Sequence, residues 1–303
     1  MGVLKYFILI FRQKPDFVIS ALDNCNIISS FCHLFTRKKT KLILTCHSTI
    51  SSEFKSDRSI KAFFVKKLMK FLFPLADKII AVSTLVYADL IKELKLSNNK
   101  IKIIYNPVYS DDLIKLGNVS NNFKWFKDKS EIIFISVGRL EEVKNFSLLI
   151  ESFSIVNNKL PSKLIIIGEG TQYKNLIEQI NRLGLNKNVH LVGFVENPYN
   201  WLSNSDVFVL SSKWEGLSCA LIEAMSFNLK IVSTKCYGGP IEILENGIWG
   251  DIAQNNSPDE LAKLMIKAAK SNNSSNNVIR AQNFSVNNSI NEYLNLLNCL
   301  NAK

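Results

Sequence analysis

The chain has 303 residues, 47% of them hydrophobic and 21% charged, with a formal net charge of +11. At about 150 residues per domain that length predicts two domains, and the composition excludes disorder and a long coiled coil. The charge is uneven: residues 1–115 carry 19 Lys and Arg against 9 Asp and Glu, whereas residues 116–303 carry 18 against 17. No apolar run reaches the ~20 residues needed to span a bilayer.

The first part alternates helix and strand. Apolar periodicity predicts helices over 3–13, 24–34, 60–73 and 84–94, and strands over 17–20, 41–46, 78–82 and 102–105. A polar stretch, 110–130, then separates the halves. Beyond it, short apolar strands are expected at 132–137, 163–167, 189–192, 207–210 and 230–233. Such runs suit strands buried on both faces of a parallel sheet. Helices are expected between them at 145–158, 171–183, 198–203 and 218–227. Another, over 258–270, has a Ser-Pro-Asp-Glu start signal at 257–260. A loop at 271–277 and a last helix over 285–300 complete the chain. Strand–helix alternation at this spacing predicts α/β doubly wound sheets. The expected division is a first domain over 1–115, a linker over 116–130, a second domain over 131–272, and a terminal segment, 273–303, packing back towards the first domain.

Cys25, Cys32, Cys46, Cys219, Cys236 and Cys299 show no CxxC spacing and sit mostly among apolar residues. They are expected to be buried thiols of a reducing compartment. His33, His47 and His190 are far apart in sequence and form no zinc pattern.

Four segments follow strands and therefore fall at the carboxyl edge of a sheet, where ligands bind in this architecture. The richest is SSKWEGLSCALIEAMSF, residues 211–227. It opens a helix whose first N–H groups and dipole favour phosphate or another anionic oxygen. Gly216 allows close backbone approach, Glu215 lies just before the helix, and Glu223 follows eight residues later among apolar neighbours. An ionised carboxylate there is expensive unless it is paired or holds ligand hydroxyls; a solvent-facing Glu on an amphipathic helix is the plainer alternative. VGRLEEVKN, 137–145, places Arg139 and Lys144 on one loop. Two cations suit a diphosphate, although a pair of loop cations is often simply solvated. IGEGT, 167–171, supplies Gly168 and Gly170, but Tyr173 stands where a dinucleotide fingerprint has its third glycine. A hydride-transfer enzyme is therefore disfavoured. CYGGPIEILE, 236–245, makes a tight turn and a helix start.

The order VGRL…K, IGEG, VGF, SDVFVLSS..EG…..EAM and GGP.EI, through about residues 130–270, resembles the nucleotide-sugar-binding half of the GT-B glycosyltransferases. The likeness is to the retaining group 1 family, also called family 4. KPDFVIS, LILTCHS, ADKIIAVS and IIYNPV resemble later elements of its acceptor domain. The resemblance implies a GT-B fold of two Rossmann-like doubly wound domains facing a cleft, the N-terminal one incomplete. Family members normally begin with a strand, a glycine-rich loop and further strand–helix units. Absence of that first, central strand would leave an apolar edge. A wrong start, a truncation and a second chain supplying the strands are the three expectations.

By resemblance, Glu215 and Glu223 form an E-x7-E signature, with Glu215 near the donor sugar and Glu223 on the nucleotide ribose. Arg139 and Lys144 neutralise the diphosphate. Gly216, Leu217 and Ser218 lie along sugar and diphosphate, Gly168 and Gly170 line the donor pocket, and His47 lies near the reaction centre. The implied activity moves a sugar, with retention, from a UDP-sugar to a glycan or lipid-linked acceptor in surface polysaccharide or glycolipid synthesis. No cofactor and no metal are expected, and the sequence contains no DxD triplet. The alternative is a truncated, non-catalytic nucleotide-sugar-binding subunit needing a partner chain. A GT-B sugar-nucleotide epimerase is disfavoured by the Glu-Gly and Glu spacing.

RSIKAFFVKKLMKFLF, 58–73, is basic, aromatic and helical in pattern. It is expected either to meet an anionic membrane surface or to be a core-packing helix with a solvated Lys face. No helix-turn-helix, RNP or zinc pattern supports nucleic acid as the acidic partner. The expected location is cytoplasmic, peripheral on the inner face of the membrane.

Overall fold

The computed structural model describes residues 2–36, 40–56, 59–127, 130–254, 257–271 and 276–302. Arg58 of the basic segment, residues 128–129 of the expected linker and 272–275 of the expected loop lie outside the described residues. The chain forms two compact units, residues 1–106 with 289–303, and residues 107–288.

The first unit holds a four-stranded parallel sheet in the order β1 (Phe17–Ala21), β2 (Lys41–Cys46), β3 (Lys78–Ala81), β4 (Ile101–Ile103). Its helices are α1 (Gly2–Gln13), α2 (Asp23–Thr36), α3 (Ile50–Ser56), α4 (Ile60–Leu72) and α5 (Thr84–Leu94). Helices α4 and α5 start where Ser59 and Ser83 accept from the N–H groups of Ala62 and Val86, as serine caps should. Of the terminal segment expected over 273–303, residues 289–303 belong to this unit, where Leu296 and Leu300 pack with Ile43, Ile80 and Ile104, whereas its earlier residues, up to 288, stay with the second unit. Strand β1 is a sheet edge that exposes Ile19, with Leu22 exposed just beyond it.

The second unit begins with α6 (Asp111–Gly117), capped by Ser110, whose hydroxyl accepts from Leu113 N–H at 3.2 Å. A 3-10 turn over Lys124–Phe126 follows. The stretch expected as a separating linker thus carries a helix, and Phe123 stacks on His190 at 5.2 Å and meets Trp201 at 5.0 Å. The Ser-Asp-Asp cap and the aromatics outweigh the polar composition there.

The sheet of this unit has six parallel strands. They are β5 (Ile132–Val137), β6 (Ser162–Ile167), β7 (Val189–Gly193), β8 (Val207–Leu210), β10 (Lys230–Thr234) and β12 (Asp251–Ala253), in the order β12-β10-β8-β5-β6-β7. A two-residue pair, β9 (Trp214–Glu215) with β11 (Tyr237–Gly238), stands apart. Helices α7 (Phe146–Asn157), α8 (Tyr173–Arg182), α9 (Tyr199–Leu202), α10 (Cys219–Ser226), α11 (Gly239–Ile243), α12 (Pro258–Lys270) and α13 (Asn277–Gln282) alternate with the strands. Helix α14 (Val286–Asn301) carries the chain into the first unit. Phe134, Phe153, Val207, Val209, Leu261 and Met265 fill one continuous core between sheet and helices. Strand order reverses between β5 and β8, the switch point where this architecture opens a crevice.

The six cysteines are all free. Cys32, Cys46 and Cys236 are buried as expected, but Cys25 and Cys299 are exposed, because they fall on outward faces of α2 and α14. Among the described residues no helix is long and apolar enough to cross a membrane.

Candidate active site

The candidate site lies in the second unit, where the loops after β5, β6, β8 and β10 gather at the carboxyl edge of the sheet. Lys144 closes a 3-10 turn after β5, and the next residue, Asn145, turns with φ 52° into α7. This conformation suits Asn and starts the helix immediately. Lys144 Nζ lies 2.6 Å from Glu215 Oε1, with only 18% and 12% of the two side chains exposed. Ser212 Oγ donates to the same carboxylate oxygen at 2.7 Å, and Ser211 Oγ donates to the Lys144 carbonyl at 2.7 Å. Thr234 Oγ1, at the end of β10, donates to the Ser212 carbonyl at 2.8 Å. Three loops are thus tied to one ion pair. A second pair, Lys213 to Glu142 at 2.6 Å, joins the same two loops from the solvent side.

The backbone around the pair leaves no room for side chains. Gly238 has φ +142°, and a Cβ there would lie 1.6 Å from the Glu215 carbonyl oxygen. Gly168 has φ +143°, and a Cβ there would lie 1.9 Å from the Gly138 carbonyl oxygen. The glycines of IGEG therefore serve the close passage of the neighbouring loop. Leu140 N–H bonds the Glu169 carbonyl at 2.8 Å, and Gly170 packs under the Leu140 backbone. Glu141 accepts from Thr171 N–H and Oγ1, and those hydrogen bonds, side-chain first, hold its carboxyl below the usual range.

Helix α10 starts directly after this cluster. Ser218 is its N-cap, yet its hydroxyl makes no capping bond; it is buried and has no partner. A buried unpaired hydroxyl beside free helical N–H groups offers donors to an anionic oxygen. Leu217 is buried next to it. One turn on, Glu223 sits among the fully buried Leu221, Ile222, Ala224 and Met225. Burial pushes its carboxyl up to about 7. Tyr199 is raised too, by burial first and then by the Glu223 charge, so the two side chains share one environment. Burial, followed by the Glu215 charge, pushes the Cys236 thiol far up, leaving it a weak nucleophile.

Arg139 stands exposed on the loop after β5, and its charge acts on Glu141. The structure therefore brings Lys144 and Glu215 into direct contact and keeps Arg139 at the same edge without an ion pair among the described residues. His47 belongs to the first unit, exposed at the end of β2, and partial desolvation lowers its pKa below the ordinary histidine value. Sequence reasoning missed the roles of Ser211, Ser212, Thr234 and Tyr199. The Ser-Ser pair just before Trp-Glu was the available signal; Tyr199 had none, since its neighbourhood is made by the fold.

The profile for "Glycosyl transferases group 1" matches residues 120–283, and that for "Glycosyltransferase Family 4" matches residues 3–112. An uncharacterized glycosyltransferase of Methanocaldococcus jannaschii is 37% identical over 250 residues, 79% of this chain and 60% of the relative. The chain thus spans about three fifths of that relative's length. A Campylobacter jejuni protein, N-acetylgalactosamine-N,N'-diacetylbacillosaminyl-diphospho-undecaprenol 4-alpha-N-acetylgalactosaminyltransferase, is 30% identical over 270 residues, 88% of this chain and 71% of that protein. The structure of Anabaena HepE in complex with UDP and glucose superposes with a TM-score of 0.83 at 19% identity, covering 98% of this chain and 81% of HepE. That likeness shows the GT-B fold. With both profiles in chain order and the E-x7-E pair placed after β8, Glu215 in β9 and Glu223 in α10, this chain belongs to the group 1, family 4 glycosyltransferases.

Proposed function

We propose that this chain takes part in sugar transfer from a UDP-sugar to a glycan or lipid-linked acceptor in surface polysaccharide or glycolipid synthesis. One observation carries the reading: a half-enclosed Lys144–Glu215 pair lies just before a helix N-terminus whose Ser218 hydroxyl is unpaired. UDP and UDP with glucose in the HepE structures, and the diphospho-undecaprenol acceptor in the name of the Campylobacter relative, support donor and acceptor class.

In this reading, the α10 N-terminus, Ser218 and the cations Arg139 and Lys144 take the diphosphate, and Glu223 takes the ribose hydroxyls. Gly216 and Leu217 lie along the sugar. Lys144 turns from Glu215 to phosphate when the donor arrives. Glu215 is then free to orient the sugar and stabilise its developing positive charge. The sugar C1–phosphate oxygen bond breaks, the C1–acceptor oxygen bond forms on the same face, and the acceptor proton passes to the leaving phosphate oxygen. The products are the glycoside and the nucleoside diphosphate, and retention follows. The protein's cations and dipole meet the charge on the leaving group, so no metal is required. His47 is assigned to the reaction by the family match alone. A lipid-linked acceptor is met at a membrane surface, which supports a peripheral location on the inner face.

The test is isothermal titration with UDP followed by a transfer assay of released UDP in the presence of EDTA. Tight UDP binding that weakens in Arg139→Ala, with EDTA-resistant transfer lost in Glu215→Ala, is expected. No UDP binding would overturn the donor reading.

A second reading, a nucleotide-sugar-binding subunit acting with a partner chain, is favoured by the open edge of β1. Ile19 and Leu22 are exposed there, and on the helices of the same unit the exposed Phe35 meets Phe7 and the exposed Phe31 edge to face. Transfer by a protein that light scattering shows to be monomeric would refute it.

A further inference from the structure

The outward face of α4 does not fit a solvated lysine face. Ala62, Met69 and Leu72 turn inward and are buried. Ile60, Phe63, Phe64, Lys67 and Phe71, at spacings of a single helical stripe, all face outward. Phe63, Phe64 and Phe71 are 65%, 62% and 66% exposed. A water-facing helix of a soluble domain gains nothing from three bare phenyl rings, so this face has a use other than solvation.

Beside the stripe, between α4 and the end of α5, is a pocket of about 680 Å³. Phe63, Phe71 and Pro74 form its apolar part, and Lys67, Lys70 and Lys95 stand at its rim. Lys66 is neutralised by Glu93 at 2.5 Å. Lys67, Lys70 and Lys95 have no acidic partner among the described residues, so the rim holds three uncompensated cations. Lys95 is itself the left-handed residue that ends α5, with φ 56°, and it turns the chain there. Aromatic rings interleaved with unpaired lysines match the layered chemistry of an anionic bilayer: acyl chains and glycerol below, phosphates above. An acidic protein would need the cations but would leave the phenyl rings bare.

We propose that the outer face of α4 and its pocket form a docking site for anionic phospholipid, with Phe63, Phe64 and Phe71 entering the interface and Lys67, Lys70 and Lys95 holding lipid phosphate. This deepens the membrane part of the reading above and rests on it. Flotation of the full chain with phosphatidylcholine vesicles, with and without phosphatidylglycerol, tests it. Binding is expected only with phosphatidylglycerol, and it weakens as salt shortens the screening length. Each lysine near the surface contributes roughly fivefold in affinity. Lys67→Glu/Lys70→Glu should therefore lose roughly 25-fold or more, and Phe63→Ser/Phe71→Ser should lose binding at unchanged charge. Lys67→Arg/Lys70→Arg should keep it, which separates charge from a folding defect. Equal binding to uncharged vesicles, full binding by the charge-reversed protein, or binding to RNA with none to phosphatidylglycerol would overturn the proposal. The assay contains no sugar donor, so a failure here leaves the donor site standing, and a failure of UDP binding leaves this surface standing.

Discussion

The first unit leaves more of its large apolar side chains exposed than the second does. In residues 107–288 the six-stranded sheet is covered, and Phe134, Phe153 and Phe208 have no solvent exposure. In residues 1–106 the sheet has four strands, its first strand is an edge, and α1, α2 and α4 all carry exposed aromatic or aliphatic side chains. The basic excess of residues 1–115 falls on the same unit. A covered sheet with its polar groups drawn to one carboxyl edge suits small-ligand binding. Helices with bare apolar faces and unpaired lysines suit contact with large partners.

That contrast can be broken or sharpened by substitution. The largest effect is expected in the second core: Phe134→Ala should lower stability by about 3–5 kcal/mol, read from chemical denaturation. A loss below about 1 kcal/mol would mean that this core is less closed than its burial indicates. Next, Glu215→Ala should reduce transfer by about 10²–10³-fold in a UDP-release assay, with some loss of stability because Lys144 and Ser212 lose their partner. A stability loss with full residual turnover would reassign Glu215 to a structural role.

The third effect is a pH dependence. The Glu223 carboxyl is raised to about 7 in the folded protein, above its unfolded value. Its contribution is fully present below the unfolded pKa and is lost as pH rises through the folded one. Stability should therefore fall between about pH 4.5 and 7, by up to about 3 kcal/mol, and Glu223→Gln should flatten this slope. UDP affinity should rise over the same range, because ribose hydroxyls favour the ionised carboxylate. An unchanged slope in Glu223→Gln, measured by denaturation across pH, would show that another group titrates. Smallest of all, Phe63→Ser should change stability by no more than about 0.5 kcal/mol, since the ring is already in water. A larger loss would mean that α4 packs against something in solution.

Much of the fold was legible in the sequence. The buried strands announced themselves as short apolar runs, and the helices between them by periodicity, with a start signal at 257–260 just before α12. Helix α3 and strand β12 were not legible. The first is a single short polar-faced segment, and the second has three residues and exists by pairing with β10. The stretch around 110–130 misled because composition spoke of a linker while Phe123, Trp125 and Phe126 found ring partners from distant strands and helices. At the candidate site, residue types and spacing marked Arg139, Lys144, Glu215 and Glu223. Only the fold showed that Lys144 is bound to Glu215 rather than standing beside Arg139 as a second free cation. The basic segment likewise left two readings open, and tertiary packing fixed which of its faces is buried: Ala62, Met69 and Leu72 turn inward.

The sequence by itself determined what is local: strand and helix periods, the E-x7-E spacing and the uneven charge. The tertiary structure alone decided which charges neutralise each other, which hydroxyl is left unpaired and which aromatic rings remain in water. Those properties depend on distances between residues far apart in the chain, and the Coulomb and desolvation energies that follow from such distances are set only when the chain has folded.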